Sequence, residues 1–217
     1  VKKLLLTLLL TSASLWGNPN EMRLVPFNKA YEVETAKIYR ENFPNYRDTF
    51  SSALLQNYSI KIGLLDKKVM GLIIYSDTTA NGMHERYIAR LAIDKPYQRA
   101  NRPSTNNRHY GTELMKLFEK QSCKEGIHIV RLDAAGDNNI ATINNICFYT
   151  NLNFKSKSYP HMAPLQAYAR LGIQGLPMIK ELEPQPSCRT GLCATMSSLK
   201  HCFKLSCCKS SNQVTPL

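Results

Sequence analysis

The chain has 217 residues, 43% of them hydrophobic, and a formal net charge of +12. That length allows one ordinary domain with a real core and excludes a second full domain beside it. Lys2 and Lys3 carry +2 and the segment from Pro186 onward carries +4, so residues 21–185 hold +6; this favours a polyanionic ligand, a nucleotide, nucleic acid or an anionic surface, without choosing among them.

The opening "VKKLLLTLLLTSASLWG" sets two lysines before a leucine run and small residues after it. This is the layout of a secretory signal peptide, with an apolar run too short to span a bilayer. Residues 1–20 are therefore expected to be a leader, residues 21–185 a single domain, and residues 186–217 a flexible basic tail. From Asn28 to Phe43 the apolar positions Val33, Ala36, Tyr39 and Phe43 recur at helical spacing, and Pro44 ends the run. "YSIKIGLLDKKVMGLIIYS" predicts a hairpin, Tyr58 to Leu65 and Val69 to Ser76, turning at Asp66–Lys68. Asn81-Gly82 marks the next turn, and Arg86 to Asp94 reads as a third strand. A helix from Gly111 to about Glu125 should bury Leu114, Leu117 and Phe118 and turn Lys116, Glu119 and Lys120 outward. "GIHIVRLDAA" reads as a strand, "NIATINNICFYTNL" as a helix, "FKSKSY" as a short strand and "LPMIKEL" as a last strand; "HMAPLQAYARLGIQG" stays ambiguous. The order predicts an α/β (α+β) domain, a central sheet flanked by helices.

One stretch carries chemistry. Between the third strand and the helix at Gly111, the loop supplies Lys95, Arg99, Arg102 and Arg108 against one acid, Asp94. A helix N-terminus offers unpaired N–H groups and the positive end of the helix dipole, and a glycine there lets a phosphate approach closely. Strand, basic loop and Gly-opened helix together make a pyrophosphate site; a simple cap on a solvated basic loop is the plainer alternative.

The order of "IARLAIDKPYQ", "RHYGTELMKLFEK" and "IVRLDAAGDNNIATINNICFYTNLNFKSKSY" resembles the GNAT superfamily of acyl-CoA-dependent N-acetyltransferases. The resemblance runs from about Met22 to Leu182 and is strongest between Ile88 and Phe154. It implies a mixed, mostly antiparallel sheet flanked by helices, acetyl-CoA as co-substrate, and transfer of an acetyl group to a primary amine. By position it implies that Leu91, Ala92 and Ile93 line a splayed strand that bonds the pantetheine arm through its backbone. Arg108, His109, Tyr110, Gly111 and Thr112 would cradle the pyrophosphate, and Tyr149 would protonate the departing thiolate, a role suited to a phenol of reference pKa about 10. Glu85, or His84 beside it, would take the amine's proton. The chain departs from the family pattern in three places. Gly111 follows Gln98 by thirteen residues, a longer reach than the family's loop makes. His109 and Asn106 stand where the family has Gly and Gln or Arg, and Asn153 stands where it has Gly.

The tail holds Cys188, Cys193, Cys202, Cys207 and Cys208 beside His201. These spacings do not match the usual zinc patterns, so no metal is expected; disulfides would be natural in an exported protein. Export sits uneasily with a cytoplasmic co-substrate, which leaves a second possibility: a non-catalytic module of this fold that engages nucleic acid or an anionic partner. The acceptor, a small-molecule or peptide amine, is not encoded in any motif.

Overall fold

The computed structural model describes residues 20–45, 50, 56–80, 82–98 and 107–183. The expected leader, apart from Asn20, and the Cys-rich tail lie outside the described residues. Seven strands form one sheet: β1 (Arg23–Pro26), β2 (Ser59–Leu65), β3 (Lys68–Ala80), β4 (Met83–Ile93), β5 (Ile129–Ala135), β6 (Lys155–Ser156) and β7 (Gly175–Glu181). Their spatial order is β1-β2-β3-β4-β5-β7-β6. Every neighbouring pair is antiparallel except β4 and β5, which run parallel. A parallel pair needs a crossover, and here it is a helix. The α-helices are α1 (Glu32–Asn42), α2 (Tyr110–Lys124), α3 (Asn139–Thr150) and α4 (Pro164–Leu171).

The hairpin between β2 and β3 turns on two residues rather than three: Asp66 and Lys67 take φ of 47° and 64°, the pattern whose twist matches the flanking strands. The ambiguous segment before β7 is a helix, opened by Pro164 and closed by Gly172 at φ 62°. β1 was not foreseen, because "RLVP" is too short to show a period.

One core cluster lies between the sheet and α2, α3 and α4, around Met70, Ile73, Leu114, Phe118, Leu132, Ile146 and Phe154. A second lies under α1, around Ile38, Tyr39, Ile62, Leu72 and Ile74. Two facial assignments change. In α1 the buried positions are Thr35, Ile38 and Tyr39, while Val33 is 81% exposed. In α2 Met115 and Ser122 are buried, and Glu119, expected to face outward, accepts a hydrogen bond from Lys180 Nζ at 2.7 Å. A half-buried carboxylate is tolerated there because a cation from β7 reaches it.

Candidate active site

β4 and β5 pair over only four residues, from Glu85 opposite Ile129 to Ile88 opposite Leu132. Beyond that point β4 runs on to Ile93 and β5 to Ala135 without pairing, so a gap opens in the middle of the sheet. The cause is local. Ile74 of β3 faces Arg90, but Tyr75 faces Ile88, so Ala89 is an extra residue, a β-bulge that bends β4 where pairing with β5 stops.

Along the gap, Leu91, Ala92 and Ile93 remain paired with β3 through Ile73, Leu72 and Gly71. The Asp94 N–H donates to the Met70 carbonyl at 2.9 Å. Antiparallel ladders alternate every second residue, so Ala92 belongs to β3 while the polar backbone groups of Leu91 and Ile93 turn toward the gap. The Ile93 carbonyl is engaged there by Gln98 Nε2 at 2.9 Å and Asn42 Nδ2 at 3.3 Å.

At the gap's open end stands the N-terminus of α2. His109 is the N-cap and no side chain caps this helix. Its first intrahelical bond is from Glu113 N–H to the His109 carbonyl, 3.0 Å. The amides of Gly111 and Thr112 therefore point out of the helix without a protein acceptor among the described residues, which is what an anion needs. Arg108 is differently disposed. Its guanidinium holds Glu113 through Nε at 2.7 Å and Nη2 at 2.5 Å, and donates to the Asn20 carbonyl at 2.7 Å. The hydrogen bond from Arg108 keeps the Glu113 carboxyl below its usual range, against the opposing effect of burial. Tyr110 is buried, its ring edge-on to Tyr97 at 5.4 Å.

On the α3 side, Tyr149 is buried with its ring against Phe148 at 5.0 Å and Phe154 at 5.6 Å. Burial alone pushes its phenol well above the ordinary tyrosine range. The neighbouring Phe148 occupies the gap's mouth: a Cβ on Gly111 would lie 3.5 Å from its ring and 3.7 Å from Ile93 Cγ1.

The face of β4 and β5 not covered by α2 and α3 carries a second group of side chains. Tyr87 Oη donates to Asp133 Oδ2 at 2.9 Å, bridging the two strands at the point where they separate. Burial first, and then this bond to Asp133, push the Tyr87 phenol up to about 12. Two residues earlier on β4, the buried Glu85 forms an ion pair with Arg131, the residue opposite Tyr87. His84 is exposed and bonds Thr79 through Nδ1.

No sequence-family model matches the chain, and no curated protein matches it. Solved structures do. PaiA N-acetyltransferase from Thermoplasma acidophilum, crystallised with coenzyme A, is 15% identical, with a TM-score of 0.52 over 74% of this chain and 99% of that one. A GNAT-family protein from Desulfovibrio desulfuricans is 13% identical, with a TM-score of 0.53 over 75% and 99%. Ard1 from Thermoplasma volcanium is 19% identical, with a TM-score of 0.50 over 75% and 98%. The chain has the GNAT fold.

Within that fold, sequence reasoning brought Leu91, Ile93, Gly111 and Thr112 to the gap, and the structure collects them there. It found Glu85 but not the cation that binds it, and it missed Tyr87, Asp133 and Phe148. Tyr87 and Asp133 lie 46 residues apart; only the register of two parallel strands puts them in contact. Among the described residues, no group of three or more His, Cys, Asp or Glu side chains is placed to hold a metal ion.

Proposed function

We propose that the protein transfers an acetyl group from acetyl-CoA to a primary amine of a small molecule or peptide. The observation that carries this reading is the gap between β4 and β5, with two uncapped helix amides at its open end and the Tyr87–Asp133 pair at its closed end. The shared fold with PaiA N-acetyltransferase, crystallised with coenzyme A, supports it.

Acetyl-CoA supplies the acetyl group as a thioester. Leu91 and Ile93 would hold its pantetheine arm by backbone hydrogen bonds, Ala92 keeping the strand in the ladder behind them. Gly111 and Thr112 would hold the pyrophosphate, with Arg108, His109 and Tyr110 forming the rim. The Asp133 carboxylate takes the proton from the incoming ammonium, and the Tyr87 hydroxyl orients the carboxylate for that transfer. Asp133 suits this role better than Glu85, whose carboxylate is already engaged by Arg131. The amine lone pair then forms the new C–N bond as the C–S bond breaks, and the acylated nitrogen sheds its extra proton to water. Tyr149, kept protonated by burial, donates its Oη proton to the leaving sulfur and regains one from water.

Thermal unfolding with acetyl-CoA and with CoA tests the binding half: each should raise the midpoint. Tyr149→Phe and Asp133→Asn should then keep most of that shift while turnover falls by about 10²–10⁴-fold. If neither nucleotide moves the melting curve, the acetyltransferase reading is abandoned. A cleft of about 590 Å³ lined by Lys37, Arg40, Glu41, Pro44 and Lys95 favours the second reading, a module for nucleic acid or another polyanion. That reading expects salt-sensitive binding to nucleic acid and no shift with acetyl-CoA.

A further inference from the structure

A second open cleft, of about 660 Å³, lies where the β1 end, β2 and β3 meet the C-terminal turn of α2. Arg86 lies in its floor, seven residues before Ile93 on the same strand, so the cleft is roughly 23 Å from the open end of the gap at the rise of a β-strand.

Its charges are layered. Lys61 and Arg86 form the floor and are 4% and 3% exposed; Asp77 and Glu125 form the rim, their side chains 48% and 35% exposed. Arg86 uses four of its five N–H donors: Nε and Nη2 hold Asp77 at 2.7 Å each, and Nη1 reaches Glu125 at 2.7 Å and Ser122 at 2.9 Å. Lys61 is less engaged. Its ammonium lies 5.5 Å from the centre of the Tyr75 ring and, among the described residues, makes one hydrogen bond, to Glu125 Oε1 at 2.6 Å, which leaves two of its three N–H donors for an acceptor inside the cleft. A buried ammonium with spare donors favours a ligand that brings acceptor oxygens. Glu125 is nearly saturated, since Oε1 also accepts from Gln121. Among the described residues Asp77 accepts the two Arg86 bonds and no other, and its half-exposed side chain keeps lone pairs for a further donor. Phe27 and Tyr58 supply an aromatic wall.

A carboxylate deep in the cleft, an ammonium at the rim and an apolar group against the wall make one kind of molecule. We infer that this cleft binds a free α-amino acid with an apolar or aromatic side chain, its carboxylate on Lys61 and its ammonium on Asp77. The site is separate from the gap, and the inference does not depend on the acetyltransferase reading.

Calorimetry on the whole chain, without CoA, tests it with L-phenylalanine and L-leucine. At least one should bind. For phenylalanine, 3-phenylpropionate and 2-phenylethylamine should each bind about tenfold more weakly or worse, having lost one charge-assisted bond. Asp77→Asn should weaken the amino acid by a similar factor without weakening 3-phenylpropionate, which has no ammonium; asparagine keeps the side-chain shape and one acceptor oxygen for Arg86, so this variant decides the matter even if Lys61→Met fails to fold. No binding by either amino acid overturns the inference, as does a one-charge analogue that binds as tightly. Loss of binding in Asp133→Asn but not in Asp77→Asn would also overturn it, making the amino acid an acceptor at the gap instead.

Discussion

Gly111→Ala separates the two jobs a glycine can do at the start of a helix. Gly111 is the second residue of α2 and is not among the glycines at positive φ, so its backbone is open to any residue. An added Cβ would meet Phe148 at 3.5 Å and Ile93 at 3.7 Å, ordinary van der Waals distances. Alanine should therefore gain helix propensity without a clash, roughly 0.5–1 kcal/mol, which raises the unfolding midpoint by about 1–4 °C in a domain of this size. The same methyl projects between Phe148 and Ile93, into the mouth of the gap. Acetyl-CoA affinity should accordingly fall by roughly tenfold, about the value of one charge-assisted hydrogen bond. Far-UV circular dichroism melts and calorimetric titration read the two effects on one sample. A lower midpoint would refute the packing around Gly111. A higher midpoint with unchanged affinity would refute the placement of the pyrophosphate at this helix end.

Gly136→Ala should behave in the opposite way, because its Cβ would meet the Ala141 Cβ at 2.5 Å and the Ala141 and Thr142 backbone at 2.7 Å; chemical unfolding should show a loss of about 1–3 kcal/mol. Phe118→Ala, at a side chain 0% exposed, should cost about 3–5 kcal/mol in the same measurement. The Tyr87 phenol is pushed up to about 12, so Tyr87→Phe should lower turnover by a constant factor between about pH 6 and 10; an alkaline limb in that range that disappears in the variant would show that Tyr87 itself titrates. Glu113 has a folded pKa below its ordinary 4.5, so its pairing stabilises the fold above that value and the contribution is lost as pH falls through the lower, folded one. Urea midpoints followed into acid should show that limb flattened in Arg108→Gln.

The elements with strong periods were legible. The α2 and α3 helices and the first strand of the β2–β3 hairpin each fall within a residue or two of the sequence-based bounds, while β3 runs four residues past its expected end, to Ala80; Asn153 takes the φ of 65° expected of an Asn replacing Gly at a left-handed position. What failed was anything decided by partners. Val33 looked apolar and therefore buried, but among the described residues no element covers that side of α1, and Val33 is 81% exposed. Glu119 looked solvent-facing, but Lys180, distant in sequence, reaches it from β7.

The site shows the same division, and Ala89 explains it. Simple alternation along "RYIARLAID" puts Tyr87 and Leu91 on one face and Ile88 and Ala92 on the other. In the folded strand Ile88 belongs to the core under α2 and α3, and Leu91 and Ile93 pack against that core, whereas Ala92 belongs to the cluster under α1. The phase changes at the bulge, because one extra residue turns every later side chain to the opposite face. Before the bulge β4 offers Tyr87 to the face it shares with Asp133; after it, the strand bends from β5 and turns the polar backbone of Leu91 and Ile93 into the gap. One inserted alanine thus separates the half of the strand that holds a carboxylate from the half that can hold a thioester arm. A pattern of two cannot report it, since nothing in the side chain of an alanine distinguishes a bulge from a rung.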